Sequence, residues 1–413
     1  MNAVLTPSVV HHERPIVSAA FLTDPYPAYR ALREAGPIHW SEEFFGGAWL
    51  LSRHADVEAV LRDPRFSAQR TGGWVNDVAQ ERGELAGFQK LFARALLFLD
   101  GGDHARLRAV MQPAFRPDAL ARLRPGIERI ATELLQGLEQ EASFDFIEKV
   151  ARPLPVRVIS RILGIEGADR DEVMAWSDDL AVFIGAPDPT REQARKAQSS
   201  LLAMTRYLQD QLATRRKSAG DDLLSALLRA ADGGDLRGEA ELLAQCAMLL
   251  FAGHETTRNL LGNGIQALLS HPQQWQLLRQ HPNRVPNAVR ELLRFDSPVQ
   301  YTGRRVVTDL TLHGQRLCRG DLVIALIGAA NRDPARHVQP DTLDIQRADP
   351  GALSFGSGAH VCLGAALARL EAEVVLRRLL TLHPNLLFAS TVPQWGSNPA
   401  YRGLVMLPVR SGQ

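Results

Sequence analysis

One cysteine of the chain, Cys362, stands in a glycine-rich stretch directly before a helical pattern. The stretch reads FGSGAHVCLG over residues 355–364, and AALARLEAEVVLRRLL follows it. Glycines let a loop backbone turn sharply and approach a flat group closely, and the N–H groups and positive dipole of a helix N-terminus lower the pKa of a thiol. We therefore expect Cys362 to be a thiolate that ligates a metal, with Gly356 and Gly364 shaping the loop and Phe355 keeping water from the sulfur.

Two other interpretations of Cys362 remain open at this point. A lone cysteine in most proteins is a small buried core residue. A nucleophilic cysteine of a hydrolase needs a nearby base held by a third group, and the surrounding sequence offers His360 without an obvious orienting partner.

A second polar pattern, AGHETT over residues 252–257, interrupts a long apolar segment that predicts a helix from about Gly238 to Ser270. Thr256 follows Ala252 by one helical turn, so its hydroxyl can bond the carbonyl at position 252 and bend or widen the helix, while Gly253 removes side-chain bulk. An alcohol beside a carboxylate can relay protons into a dry pocket, which makes Thr256 and Glu255 candidate catalytic residues.

Ordinary alternatives exist for each side chain of this segment. Glu255 on its own fits a helix-surface carboxylate, and the two threonines fit a polar patch on a core helix. His254 faces a different side of the helix from Ala252 and Thr256, so we interpret it as a structural residue.

The elements that must position these residues are mostly helices. Apolar residues recur three and four apart from about residue 103 to residue 281, whereas strand patterns are confined to short pieces near Trp49, Val306 and Val323. No repeat, low-complexity run or long linker divides the chain. The sequence therefore predicts a mainly α fold with small β-sheets, in which residues 1–413 form one domain.

Composition excludes several classes of protein. Lys and Arg number 47 against 46 Asp and Glu, and no stretch concentrates one sign of charge, which argues against a nucleic-acid partner. The three cysteines follow neither a disulfide nor a zinc-ligand spacing. With no signal-peptide pattern and no uncharged apolar window of about 18 residues, we expect a cytoplasmic protein without a membrane anchor.

The two polar patterns together resemble those of the cytochrome P-450 superfamily. Residues 355–364 fill every fixed position of the haem-binding signature F-x-x-G-x-[HR]-x-C-x-G, and residues 252–257 resemble the oxygen-activating segment A-G-x-[DE]-T-T. Stretches such as DPYPAYRALREAGPIHW and ANRDPARHVQPDTLDI extend the resemblance to soluble bacterial members over nearly the whole chain.

The resemblance implies the triangular-prism fold of that family, with haem b (iron protoporphyrin IX) between two long helices. One of these helices carries Thr256, and the other begins after Cys362, the axial iron ligand. Electron donation by such a thiolate favours O–O cleavage. The implied reaction inserts one oxygen atom from O2 into a small apolar substrate.

The resemblance also implies roles for basic residues. His104, Arg108, Arg304 and His360 would hold the two haem propionates, which need cationic or hydrogen-bonding partners when partly buried. Arg304 is preferred over Arg305 because its distance to Gly314 matches the family spacing.

The pair Glu291 and Arg294 has opposite charges three residues apart on one helical face, where the side chains can pair. It resembles the family's E-x-x-R helix, with Arg347 as a third member of the network. The implied role is folding and haem retention.

No flavin or iron–sulfur motif occurs, so the resemblance implies that electrons come from NAD(P)H through a separate ferredoxin reductase and ferredoxin. An acidic partner would dock on the face covering Cys362, near Arg106 and Arg369. The protein is expected to be a monomer.

Substrate contacts in this family come from variable loops. By alignment the candidate pocket residues are Trp74, Val75, Phe183, Ile184, Val299, Gln300 and Tyr401. A polyketide, terpene or fatty-acid scaffold of secondary metabolism is expected, with hydroxylation, epoxidation and coupling all open.

Two alternatives to a ferredoxin-driven monooxygenase remain. A peroxide-driven haem-thiolate peroxygenase would dispense with redox partners, although such relatives usually lack an acid–alcohol pair. A haem-binding sensor would need no proton relay and would normally carry an output domain.

Overall fold

The structure is a computed structural model that describes residues 16–69, 86–165, 170–218, 220–348, 351–389 and 392–412. Helices dominate these ranges. Their bounds are α1 Ala19–Thr23, α2 Tyr26–Ala35, α3 His54–Arg62, α4 Ala86–Phe92, α5 Gly101–Met111, α6 Pro117–Leu135, α7 Pro153–Leu163, α8 Arg170–Gly185, α9 Arg191–Lys217, α10 Leu223–Asp232, α11 Glu239–Ser270, α12 Pro272–Gln280, α13 Val285–Phe295, α14 Ile327–Ala330 and α15 Ala365–Leu382.

The strands are short and form small sheets, as the sequence predicts. Their bounds are β1 Ile38–Ser41, β2 Ala48–Leu51, β3 Phe66–Ser67, β4 Phe144–Asp145, β5 Thr302–Val306, β6 Leu310–Leu312, β7 Gln315–Leu317, β8 Leu322–Ala325, β9 Leu386–Phe388, β10 Gln394–Trp395, β11 Leu404–Met406 and β12 Pro408–Ser411. The largest sheet has the order β1-β2-β8-β5-β3, with β2 and β8 parallel and the other pairs antiparallel. A three-stranded sheet has the order β4-β12-β9.

Helix α11 runs through the main core, and the sequence explains its length. Most of its side chains are buried on all sides, which is expected of a helix that other helices surround. Glu239 and Glu241 lie in its first turn, where negative charge suits the helix dipole. It ends at Ser270, and Pro272 then opens the next helix at a position that tolerates proline.

Helix α15 is the second helix that matters for the site. It packs against α6, α11 and α13, and the loop carrying Cys362 leads directly into its first turn at Ala365. The predicted arrangement of two long helices, one with Thr256 and one after Cys362, is therefore confirmed. Within the described ranges, no helix combines the length and the apolar character that a membrane span requires.

Candidate active site

A cavity of about 330 Å³ lies between α11, α15, α5 and the large sheet. Its walls contain every residue that the sequence predicts for catalysis or cofactor binding. These are His104, Arg108, Ala252, Gly253, Glu255, Thr256, Arg304, Phe355, Gly356, His360, Cys362 and Gly364.

Backbone geometry brings Cys362 to one face of this cavity. Gly356 and Gly358 have φ of 74° and 72°, a left-handed conformation that glycine adopts without steric cost. The loop closes on itself because the Cys362 N–H donates to the Phe355 carbonyl at 2.8 Å. The exposed surface of Cys362 faces the cavity.

The predicted direction of the Cys362 pKa is wrong. Burial raises the pKa of the thiol, and this effect exceeds the opposing effects of the Gly364 N–H and of Arg108 and Arg369. The helix terminus does contribute in the predicted sense, but removal from water disfavours the thiolate more strongly. A coordinating metal would remove the thiol proton outright, so a thiolate at this position would depend on ligation rather than on the helix dipole.

Residues of the AGHETT segment line the same cavity as part of α11. Thr256 Oγ1 donates to the Ala252 carbonyl at 3.1 Å, which is the predicted bond, and the segment stays α-helical.

Gly253 also has a packing role that the sequence does not reveal. A Cβ at this position would lie 3.3 Å from Cγ1 of Ile159, so glycine permits the close approach of α7 to α11.

Glu255 is buried at the cavity wall with only 4% of its surface exposed. Its Oε1 accepts from Arg258 Nη2 at 2.5 Å and from Asn259 Nδ2 at 3.2 Å, whereas Oε2 has no hydrogen-bond partner among the described residues. Burial raises the pKa of Glu255, with Asp178 acting in the same direction and Arg258 against it. The carboxyl is therefore held in place and is able to carry a proton.

His254 lies outside the cavity wall and has 1% of its surface exposed. Burial, with Arg258 and Arg152 nearby, lowers its pKa to about 3, so the ring is neutral at neutral pH. It lies close enough to Asp178 and Glu255 for the three to hold a metal ion. Arg152 and Arg258 already pair with these carboxylates at 2.8 Å and 2.5 Å, so the two carboxylates have cationic partners among the described residues, and the structural role of His254 stays a prediction.

The basic wall consists of His104, Arg108, Arg304 and His360. The imidazole rings of His104 and His360 lie 4.1 Å apart, and His360 Nε2 contacts Asp100 Oδ1 at 3.1 Å. Burial, followed by His360 and Arg108, lowers the pKa of His104 to about 4. His104 is thus neutral at neutral pH and able to donate a hydrogen bond, which is one of the two kinds of propionate partner that the sequence analysis allows.

The choice of Arg304 over Arg305 agrees with the structure. Arg304 is buried in the cavity wall. Arg305 points along the sheet surface and donates to the Gly320 carbonyl at 2.8 Å.

Glu291 and Arg294 form a fully buried, bidentate ion pair, with both side chains at 0% exposure. Arg347 adds a contact of 3.1 Å to the Glu291 carboxylate. Arg294 also donates to the carbonyls of Asn331, Pro340 and Thr342. The network therefore fastens the chain segment that leads toward Cys362 onto α13.

The remaining cavity wall is mostly apolar, with the polar side chains of Gln245, Thr257, Thr302, Ser354 and Glu371 among its lining residues. Of the substrate neighbours predicted by alignment, Ile184, Val299 and Tyr401 line the cavity, whereas Trp74 and Val75 lie outside the described residues. The prediction is wrong for Phe183, which is buried in the core, and for Gln300, whose Oε1 accepts from the Tyr29 hydroxyl.

Sequence reasoning also missed wall residues. Several belong to helical stretches whose periodicity does not show which side faces a cavity, such as Leu96, Leu97, Met248 and Leu249. Another is Glu371, a buried carboxyl at the same wall. Glu371 follows Leu367 by four residues and Leu370 by one, so it is an acidic residue within the apolar face of a helix. This pattern could have identified it as a buried carboxyl in the sequence.

Comparison with known proteins decides the family. The cytochrome P-450 family model matches residues 156–383, which is more than half of the chain. The chain is a cytochrome P-450. Its relatives include cytochrome P-450 107B1 of Saccharopolyspora erythraea, 39% identical over 95% of this chain and 96% of that protein. The vitamin D(3) 25-hydroxylase of Pseudonocardia autotrophica is 37% identical, with 99% of each chain covered.

The fold of this P-450 agrees with solved structures. The crystal structure of a myxobacterial cytochrome P-450 in complex with myristic acid superimposes with a TM-score of 0.89 at 33% identity, covering 96% of this chain and 99% of that one. The protein is therefore a P-450 monooxygenase, and the family implies an iron-haem cofactor.

The residues of the cavity fit such a cofactor. The Cys362 thiol lines the cavity and could ligate the iron of a flat complex. Two arginines and two histidines also line it and could bind the two carboxylates of that complex. A Cβ built on Gly364 would meet no atom within 4 Å, so the loop beside the sulfur leaves space for a ring system.

Proposed function

We propose that this P-450 binds haem b and inserts one oxygen atom from O2 into a small apolar substrate, with electrons from NAD(P)H supplied through a ferredoxin reductase and ferredoxin. The observation that carries the proposal is the shared cavity, which Cys362 and the Thr256–Glu255 pair both line. We further propose that residues 1–413 act as one haem domain, as a monomer in the cytoplasm, where reduced ferredoxin is supplied.

Each wall has a role in this proposal. Cys362 ligates the iron, and the Gly364 N–H holds the sulfur. Arg108 and Arg304 would pair with the propionates, while His104 and His360 would donate hydrogen bonds to them. Bound haem supplies the iron at which dioxygen is reduced, and that chemistry belongs to the cofactor.

Residues of the chain itself transfer protons and exclude water from the cavity. Thr256 accepts and donates a proton at its hydroxyl, and Glu255 supplies protons from a carboxyl whose pKa burial raises. Side chains such as Met248, Leu249 and Ile184 exclude water and hold an apolar molecule near the iron. Glu291, Arg294 and Arg347 act at a distance by keeping the cysteine loop in place.

The substrate is expected to be a polyketide, terpene or fatty-acid scaffold from secondary metabolism. The support is the apolar wall together with the names of two similar proteins, a vitamin D(3) hydroxylase and a P-450 bound to myristic acid. Hydroxylation is the first reaction to look for.

The electron donor is expected to dock beside α15. Arg106 is a poor candidate for this contact, because it pairs with Glu241 at 2.7 Å and with Asp103. Arg369 lines a surface groove of about 330 Å³ together with Arg124 and Arg290. These guanidiniums suit an acidic partner.

The carbon monoxide difference spectrum of the dithionite-reduced protein tests the proposal first. A thiolate opposite carbon monoxide shifts the Soret band far to long wavelength, and we expect that band in the wild type and in Cys318→Ala, a matched control whose cysteine lies outside the cavity wall. Cys362→Ala should lose it. A band at the position of histidine-ligated haem, or a normal band in Cys362→Ala, contradicts the ligand assignment.

Turnover with isotopically labelled dioxygen then tests the reaction. We expect labelled product from myristic acid or vitamin D3 only when ferredoxin, its reductase and NAD(P)H are all present. Efficient turnover with peroxide and no gain from ferredoxin would instead identify a peroxygenase.

A further inference from the structure

The loop of residues 398–403 connects the cavity to α8 and α11. Tyr401 lines the cavity, and its ring meets Phe251 edge-on at 6.0 Å. Asn398 shapes the loop, because its Oδ1 accepts from the Ala400 and Tyr401 N–H groups and its Nδ2 donates to the Ala181 carbonyl of α8. A substrate that contacts Tyr401 would therefore contact a loop that is hydrogen-bonded to α8 through Asn398.

Two asparagines of α11 hold the same loop from the other side. Asn259 Nδ2 donates to the Tyr401 carbonyl at 3.4 Å, and Asn263 Nδ2 donates to the Arg402 carbonyl at 3.0 Å. Both residues are buried, with 1% of their surface exposed. They are one helical turn apart, so they present similar groups to adjacent points of the loop.

Of these two asparagines, Asn259 also contacts the Glu255 carboxyl. Asn259 Nδ2 donates to Glu255 Oε1 at 3.2 Å, and its Oδ1 accepts from Arg258 Nε at 3.3 Å. Arg258 binds the same Glu255 oxygen at 2.5 Å. The amide thus belongs both to the loop attachment and to the group that fixes Glu255.

The packing at this point is tight. A Cβ built on Gly403 would lie 1.9 Å from Asn259 Oδ1, so the loop rests directly against the amide. Because closely packed groups move together rather than independently, a shift of the loop displaces the Asn259 amide, and the amide displaces the Glu255 carboxyl.

We propose that Asn259 is a positioning residue, which makes the orientation of the Glu255 carboxyl depend on the position of the substrate-contacting loop 398–403. The inference rests on the proposed role of Glu255 as a proton source. Proton delivery then becomes efficient when an apolar molecule fills the cavity and touches Tyr401. Misplacement of a catalytic group by about 1 Å is enough to reduce a rate roughly a hundredfold.

The test uses the full-length, haem-loaded enzyme with ferredoxin, its reductase and NADPH, with and without myristic acid as an apolar filler of the cavity. The readouts are the fraction of consumed O2 that is released as hydrogen peroxide and the solvent isotope effect on O2 consumption. In the wild type, myristic acid should lower the peroxide fraction. Glu255→Gln should raise that fraction and remove the response to myristic acid.

Two variants remove the donor group of Asn259 while conserving its shape, Asn259→Leu and Asn259→Asp. We expect both to raise the peroxide fraction about threefold or more in the presence of myristic acid and to reproduce the isotope effect of Glu255→Gln. The affinity for myristic acid should change by less than about twofold. The carbon monoxide band and the thermal midpoint report whether each variant is folded.

Asn263→Leu is the matched control, because it removes one hydrogen bond to the loop but leaves the loop attached through Asn259 and Asn398 and leaves the contact between Asn259 and Glu255 intact. It should keep the wild-type peroxide fraction. If Glu255→Gln behaves as the wild type, the proposed role of Glu255 is wrong. If Glu255→Gln shifts both readouts but the Asn259 variants do not, or if Asn263→Leu shifts them equally, the positioning role of Asn259 is overturned.

Discussion

Glu371 occupies a position of α15 where the helical pattern asks for an apolar side chain. It has 2% of its surface exposed, its Oε2 has no hydrogen-bond partner among the described residues, and it lies at the cavity wall. Burial raises its pKa well above 4.5. Because the charged form would be stranded away from water, we predict that the folded protein keeps this carboxyl protonated at neutral pH.

Glu371→Gln tests this protonation state, because glutamine resembles the neutral acid. A carboxyl whose pKa is raised by folding contributes stability fully below the unfolded pKa, about 4.5, and loses it as pH rises through the folded pKa. The wild type should therefore lose about 1 kcal/mol or more relative to the variant between about pH 5 and pH 8. Urea unfolding of the two proteins at both pH values measures the difference.

A matched control for this experiment is Glu373→Gln, on the same helix but at the surface groove. It removes a carboxylate outside the cavity wall. A difference between wild type and Glu371→Gln that does not vary with pH, or one that Glu373→Gln reproduces, contradicts a protonated Glu371.

Helix α13 holds the cysteine loop in place through charged residues that do not themselves line the cavity. Glu291 and Arg294 are completely buried, and Arg294 holds three carbonyls of the segment between α14 and the cysteine loop. Ser354, just before Phe355, donates to the Leu293 carbonyl of the same helix at 2.7 Å. Helix α13 is therefore bonded both to the segment that precedes the cysteine loop and to Ser354, the residue directly before Phe355.

Glu291→Ala should be strongly destabilising, because it leaves Arg294 buried without its counter-ion. Removal of one partner of a buried pair costs about 3–5 kcal/mol. We expect the variant to lose haem as well, since the loop carrying Cys362 depends on this network. The measurements are the unfolding free energy and the haem content per chain.

The control for this prediction lies on the same helix. Arg290 is exposed and donates to Asn287, so Arg290→Ala should change the unfolding free energy by about 0.5 kcal/mol or less. Equal effects of Arg290→Ala and Glu291→Ala would show that the buried pair has no special role.

On the scale of the whole molecule, charge is nearly balanced but unevenly placed. The net charge is +1, yet the groove beside α15 gathers Arg124, Arg290 and Arg369 around one acidic residue, Glu373. Helix α15 begins directly after the cysteine loop. Under the proposed docking of an acidic electron donor, the groove lies beside the helix that follows the cysteine loop.

Arg124→Glu should slow reduction by ferredoxin about tenfold at low ionic strength, with the difference shrinking as salt is added, because charge steering is screened. Stopped-flow reduction by ferredoxin measures it, and reduction by dithionite should not change. Arg122→Glu is the control, since Arg122 lies on the same helix α6, pairs with Asp118 and is not part of the groove. Equal slowing by both variants would place the docking surface elsewhere.

Much of this protein follows from the sequence alone. Helical periodicity determines the extent of α11, and the strand patterns locate β2, β5 and β8 of the largest sheet, because both depend on residues a few positions apart. The prediction that strands are confined to these pieces is wrong, since β4 and β9 to β12 form further small sheets. The cysteine loop and the AGHETT segment are also visible, since their residue types and spacing are set by local backbone geometry. Thr256 bonds the Ala252 carbonyl as expected from a separation of one turn.

Only the tertiary structure decides properties that depend on distant neighbours. The pKa of Cys362 rises because of burial among segments far away in sequence, against the effect of its own helix terminus. Arg106 forms an ion pair with Glu241, Phe183 is buried in the core, and Glu371 lies beside the cavity. None of these placements can be predicted from the spacing of neighbouring residues. Local patterns determine which elements form and which groups they carry, whereas solvation and pairing depend on which elements meet.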